Sequence, residues 1–454
     1  MANDHSPYLS LTTEVLTALS KVRREAGFWS DSESEELARE TQVFKIGECL
    51  RPFYMAIRYY PDLSLPLSID ILRKDTQFFT KTIDRHGFFP SPYSPISGAK
   101  DQYTDFAAFT LEFSALVYDF WKLQSKNNKV LVDNASSLAE RALSFLLDPQ
   151  HRVQDDLGTR WGGTSEYSRV KKTHEVYTDT FFTATVLLSV FRTIDHPVLN
   201  LSATRKEEIR GLIQAGCSWL VSRFDGQFLT GNEEKTNRSL VHTTWALHAL
   251  AEMYDLLDLK LRKIVPTIVE AYLTALRSRF TKKDSVLQQE YLTVLSVEVD
   301  PPLYYEDRSG LGGVLLTLAE LRSVGDLERL LEEASYSHVF DVVLDSVINL
   351  RNPTTGLWYG QGLILSVHSY LVEAFLVLSR RSTEFGRRLE VSSPMVREAV
   401  RAALTDEAIL ATIQRAVYQH LANRVDLREQ GEVIREQLGE RGEKGIIRKK
   451  SSKK

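Results

Sequence analysis

Three aspartates and two histidines stand at comparable places, each at the opening of an apolar run. They are Asp105 in Tyr103-Thr104-Asp105, Asp179 in Tyr177-Thr178-Asp179, Asp307 in Glu306-Asp307-Arg308, His242 before Thr243-Thr244, and His368 before Ser369. Carboxylates that face one another across a cavity divide into general acid and general base when burial separates their pKa values. Imidazoles beside them can carry a proton near neutral pH. With Asp105, Asp179 and Asp307 as catalytic groups and Tyr103, Tyr177 and His242 assisting, such a set suits hydrolysis, elimination or epimerisation of a carbohydrate. Glu306, Arg308 and His368 complete a ring of ligand-binding candidates with Tyr103, Tyr177 and His242. The competing role is capping: Thr and Asp at helix starts satisfy free N–H groups, worth about 1 kcal/mol each. Capping is the expected role of Thr104, Thr178 and Thr243.

Other chemistries lack their residues. His86, His151, His174, His196, His338 and His420 fall in expected loops or outer helices, and no His-x-x-x-His pair occurs. Cys49 and Cys217 are too few for a disulfide framework or a thiolate zinc cluster and read as buried free thiols. No metal and no cofactor is therefore expected. Gly310-Leu311-Gly312-Gly313 has no Lys-Ser/Thr sequel, so it is no phosphate loop, and no Gly-x-Ser-x-Gly elbow appears.

The elements that must position the ring repeat six times. Turns at Gly27-Phe28-Trp29, Gly87-Phe88-Phe89, Arg160-Trp161-Gly162-Gly163, Gly226-Gln227-Phe228, Leu303-Tyr304-Tyr305 and Gly356-Leu357-Trp358 each precede an apolar helix. Those helices begin near Thr41, Thr104, Thr178, Thr243, Ser309 and His368. Each turn also follows an amphipathic helix, such as Leu11–Glu25, Ile69–Ile83 or Lys206–Phe224. The second helices, for example Phe181–Phe191 and Ser366–Leu378, are apolar nearly all round, which requires burial on every side. One repeat cannot bury its own apolar face, so the copies must stack or close. The expected fold is all-α: an α/α toroid, a double-layered ring of six helical hairpins with the second helices inside. Aromatic rings in the turns, Trp161 and Trp358 among them, would wedge between repeats or stack on a ligand.

Asp225-Gly226-Gln227-Phe228 followed by Thr243-Thr244-Trp245-Ala246-Leu247-His248-Ala249-Leu250 resembles the repeat of the terpenoid cyclase and protein prenyltransferase toroids. Arg160–Gly163 with Tyr177–Ala184, and Gly87–Pro90 with Tyr103–Ala108, share the plan, and the resemblance spans about Leu11 to Arg381. It implies a ring whose central cavity is lined by the loops before the inner helices. The family's catalysts are missing. The nearest run to its Asp-x-Asp-Asp acid is Gln154-Asp155-Asp156, and neither cysteine has the histidine spacing of its zinc site.

At 454 residues, 43% hydrophobic and 26% charged, the chain has an ordinary globular composition. A net charge of −4 disfavours nucleic acid as a partner except through the basic tail. The expected domains are a toroid over 8–385, a helical extension over 390–445 and a basic disordered tail over 446–454. Ile409, Ile413, Val417 and Leu421 give the extension an apolar stripe suited to an unidentified protein partner. Met1–Pro7 has no secretory pattern and no run is long enough to span a bilayer, so a cytoplasmic location is expected. Two functions stay open, and whether the chain is an enzyme is not decided. One is a non-catalytic toroid that binds a small molecule, peptide or glycan in its ring and a partner through its C-terminal helices. The other is a toroidal enzyme, either acting on carbohydrate or a divergent terpenoid cyclase- or prenyltransferase-like activity.

Overall fold

Apolar runs that follow a polar N-terminal residue become helices in the computed structural model. It describes residues 7–21, 49–86, 102–123, 129–164, 176–231, 240–280, 309–333, 335–351, 354, 356 and 368–380. The chain divides into units 1–381 and 382–454, and the second unit lies outside the described residues, as do the expected extension and basic tail. The first unit is mostly helical. Among the described residues its α-helices are α1 (Pro7–Lys21), α2 (49–59), α3 (Ile69–His86), α4 (Thr104–Leu123), α5 (Lys129–Leu147), α6 (Thr180–Thr193) and α7 (Ala203–Ser222). They continue as α8 (Leu240–Glu252), α9 (Leu259–Phe280), α10 (Ser309–Ser323), α11 (Gly325–Glu332), α12 (Ser337–Leu350) and α13 (368–380).

Burial separates the helices into two kinds. In α4, α6, α8, α10 and α13 nearly every described side chain is buried, polar ones included, as an all-round apolar helix demands. By contrast α5, α7 and α9 bury one stripe each and keep an exposed face. The buried helices pack in chain order, α4 on α6, α6 on α8 and α8 on α10. The two ends of the unit also meet. Tyr8 of α1 stacks on Phe375 of α13 with ring centroids 6.3 Å apart, and Arg351, just after α12, bonds Glu14 of α1 at 2.9 Å.

Two expectations about local structure need correction. The run Arg160–Gly163 is no turn. It lies in strand β3 (Gly158–Thr164), which pairs antiparallel with β1 (Gln102–Tyr103), β2 (Arg152–Asp155) and β4 (Val176–Thr178). Gly163 permits this, because a Cβ there would lie 2.1 Å from the Tyr103 ring. Asp155 ends β2 and pairs with Gly158, Asp156 lies in the hairpin turn between them, and Gly158 at φ +130° faces the Ala215 carbonyl so closely that no Cβ fits. The second correction concerns the first helix of the fifth repeat, which the sequence places at Val265–Arg279: α9 starts at Leu259. Asp258 accepts from the Leu261 N–H at 2.8 Å, and the Arg262 carbonyl that Pro266 cannot bond lies 3.5 Å from the Tyr254 hydroxyl.

A recurrent clamp fixes the segment that precedes a buried helix. Thr183 Oγ1 in α6 accepts from the Trp161 N–H at 3.1 Å and donates to its carbonyl at 3.4 Å. Thr243 in α8 does the same with Leu229, at 2.9 and 3.4 Å. Thr243 therefore does not cap, since its helix begins one turn earlier at Leu240.

Candidate functional site

The expected polar ring is brought together only in part. Asp179 is the N-cap of α6, and its Oδ1 accepts from the Phe181 N–H at 2.6 Å. Its other oxygen lies 3.6 Å from His242 Nε2, so two residues chosen from separate repeats do meet. Burial raises the Asp179 pKa, against the opposing pull of His242 and the Phe181 N–H. Asp105 is buried at the start of α4, where its Oδ1 accepts from the Phe106 N–H at 2.7 Å. Both carboxylates are thus folded onto their own helix starts.

The other candidates have packing surroundings. The Tyr103 ring lies 5.3 Å from that of Phe182 and covers Gly163. Trp161 is 2% exposed and donates its indole N–H to the Leu146 carbonyl at 2.7 Å, so this ring is a buried packing group tied to α5. His368 is fully buried at the start of α13. The Tyr177 backbone pairs with Gly163 in the sheet; its side chain lies outside the described residues. So do Thr41, Glu306, Asp307, Arg308 and Trp358.

A second constellation escaped the sequence reading. Six buried helices send ionisable side chains into one cluster: Arg51 of α2, Glu112 of α4, Arg192 of α6, His248 and Glu252 of α8, Glu320 of α10 and Glu373 of α13. Seven residues separate Asp105 from Glu112 and thirteen separate Asp179 from Arg192. At 1.5 Å per residue the cluster lies roughly 10–20 Å along α4 and α6 from these two aspartates.

Arg192 is its hub. It grips Glu252 with Nε–Oε1 at 2.8 Å and Nη2–Oε2 at 2.6 Å, and reaches Glu112 at 3.4 Å and Glu373 at 3.3 Å. Arg51 Nε sits 2.9 Å from Glu112 and 3.0 Å from Glu373, joining α2 to both α4 and α13. Ser189 donates to Glu112 at 3.0 Å, and Tyr54 donates to the Arg192 carbonyl at 3.2 Å. Burial alone would favour the neutral forms, yet the three carboxylates hold the Arg192 proton more firmly than usual. Burial also pushes Glu252 upward, but the Arg192 charge and hydrogen bonds outweigh it and lower its pKa. Glu320 has no such arginine grip. Burial, then the Glu252 charge, raises it. Glu373 is raised by burial against the pull of Arg51 and Arg192. Burial and the nearby Arg192 charge keep His248 neutral, so its 3.7 Å approach to Glu252 is no ion pair.

His248, Glu252 and Glu320 have one potential ligand atom each within 4.8 Å of one another. The sequence hid this set because His248 and Glu252 share a helix while Glu320 comes from another. The signal available was a lone charge in each apolar helix, such as Glu112, Arg192 and Glu373. Both cysteines are free and buried, and burial pushes the Cys217 thiol up to about 12. No helix among the described residues is long and apolar enough to cross a membrane. No family of known proteins and no curated protein matches this chain.

Proposed function

We propose that residues 8–385 form an α/α toroid of six helical hairpins, a terpenoid cyclase- and prenyltransferase-like ring, that binds a ligand or partner without catalysis at its mouth. The ring is supported by the meeting of α1 with α13 and by one ionic cluster drawn from six buried helices. The observation that carries the non-catalytic reading is the commitment of Asp105 and Asp179 to backbone N–H groups at their helix starts. A general acid or base must reach substrate, and one oxygen of each side chain is held by an N–H of its own helix start. Recognition then belongs to the rim around Tyr103 and His242 for a small molecule, peptide or glycan. The amphipathic stripe over Ile409–Leu421 would hold a protein partner. Two buried free thiols suit a reducing, cytoplasmic setting.

The test compares the full chain with an Asp105→Asn, Asp179→Asn double variant on a polysaccharide panel, reading reducing ends and unsaturated products. Equal, blank-level product from both proteins is expected. Turnover by the native chain that the double variant loses would overturn the reading. A chain ending before Pro394 tests the partner half: it should lose proteins that the full chain retains, and retention of all of them would refute it.

A second reading, an acid/base enzyme acting on carbohydrate, is favoured by the 3.6 Å approach of His242 to Asp179. On that reading His242→Gln abolishes turnover in the same panel.

A further inference from the structure

We infer that His248, Glu252 and Glu320 form a buried site for one divalent first-row transition ion, which ties α8 to α10 inside the ionic cluster. His248 Nε2 and Glu252 Oε2 are 3.7 Å apart, near the roughly 3.4 Å between two ligands of a tetrahedral ion with bonds of about 2.1 Å. The Glu320 carboxylate completes a set within 4.8 Å. One imidazole and two carboxylates are borderline-to-hard donors, suited to zinc or manganese and not to a thiophilic ion.

The independent observation is His248 itself. It is fully buried, and neither ring nitrogen has a hydrogen-bond partner. A fully buried imidazole with neither nitrogen bonded is an unsatisfied polar group, and a coordinated cation would give one of those nitrogens its partner. Glu320 Oε1 is likewise buried without a hydrogen-bond partner.

The experiment uses the full-length chain. It is stripped with a chelator, dialysed into metal-free buffer and titrated with Zn2+ by calorimetry, with Co2+ as a second, spectroscopic probe. One equivalent of Zn2+ per chain is expected, with a higher Tm and visible Co2+ d–d bands of a low-symmetry N/O site. Glu320→Gln keeps the shape and removes a ligand charge, and should weaken Zn2+ at least tenfold, as should His248→Gln. Glu14→Gln, remote from the cluster, should leave binding unchanged. If the stripped native chain takes up no stoichiometric Zn2+ and gives no Co2+ bands, the inference is wrong. Undiminished affinity in Glu320→Gln overturns it too, and that variant decides the matter even if His248→Gln fails to fold.

Discussion

The two oxygens of Asp179 have different neighbours: one accepts from the Phe181 N–H and the other faces His242 at 3.6 Å. Burial raises its pKa above the ordinary 3.8 in spite of both. A raised folded pKa means that the native state holds the proton more tightly than the unfolded chain. The stability Asp179 contributes is therefore whole below pH 3.8 and is lost as pH rises through the folded value. Asp179→Asn keeps a capping oxygen and cannot ionise. Urea midpoints taken from about pH 3 to pH 7 should fall more steeply with pH for the native protein than for the variant; parallel curves would show that burial does not perturb this carboxyl. The capping half of this role was legible, because Thr-Asp before an apolar run marks a helix start. Its pairing with His242 rests on a contact between helices of different repeats, which no local pattern encodes. The ionic cluster was missed for a related reason. The run Phe181–Phe191 reads as uniformly apolar and stops one residue before Arg192, the hub.

At the scale of elements, the order and type of most of the described helices were readable from periodicity and caps, while α11 and the short segments between helices were not. Strands of two to seven residues, such as β1 and β3, carry no usable period, and partners distant in sequence hold them in place. Gly158 illustrates the point. Its φ of +130° and its closeness to the Ala215 carbonyl are set by a neighbouring helix, yet in sequence it is one glycine among 23. The threonine clamps are better placed to report what these segments contribute. Thr243→Val preserves shape and leaves the Leu229 N–H with no hydroxyl to donate to, deep in the core. An unsatisfied buried donor costs about 1–3 kcal/mol. Thr243→Val should lose that amount in urea unfolding and Thr243→Ser much less, since the hydroxyl remains. Equal losses would assign the effect to the γ-methyl group and not to the clamp.

For the first unit as a whole, two kinds of charged contact join parts far apart in sequence, and they should differ in strength. Arg351 and Glu14 meet near the surface, 22% and 55% exposed, where water and side-chain entropy leave an ion pair worth about 0–1 kcal/mol. Arg192 is buried against Glu112, Glu252 and Glu373, carried by three other helices. Removing one partner of such a network strands the remaining charges and costs about 3–5 kcal/mol. Arg192→Leu, close in volume and uncharged, should therefore destabilise by about that much or prevent folding, whereas Glu14→Ala should cost under about 1 kcal/mol. The two sites share no partner, so their effects should add in the double variant. Chemical denaturation of the three variants measures this directly. If Arg192→Leu costs no more than Glu14→Ala, water reaches the cluster and the buried helices do not close around it. If the large loss is found, Arg192 is the group that keeps Glu112, Glu252 and Glu373 compensated, and the helices that carry them depend on one another for that partner.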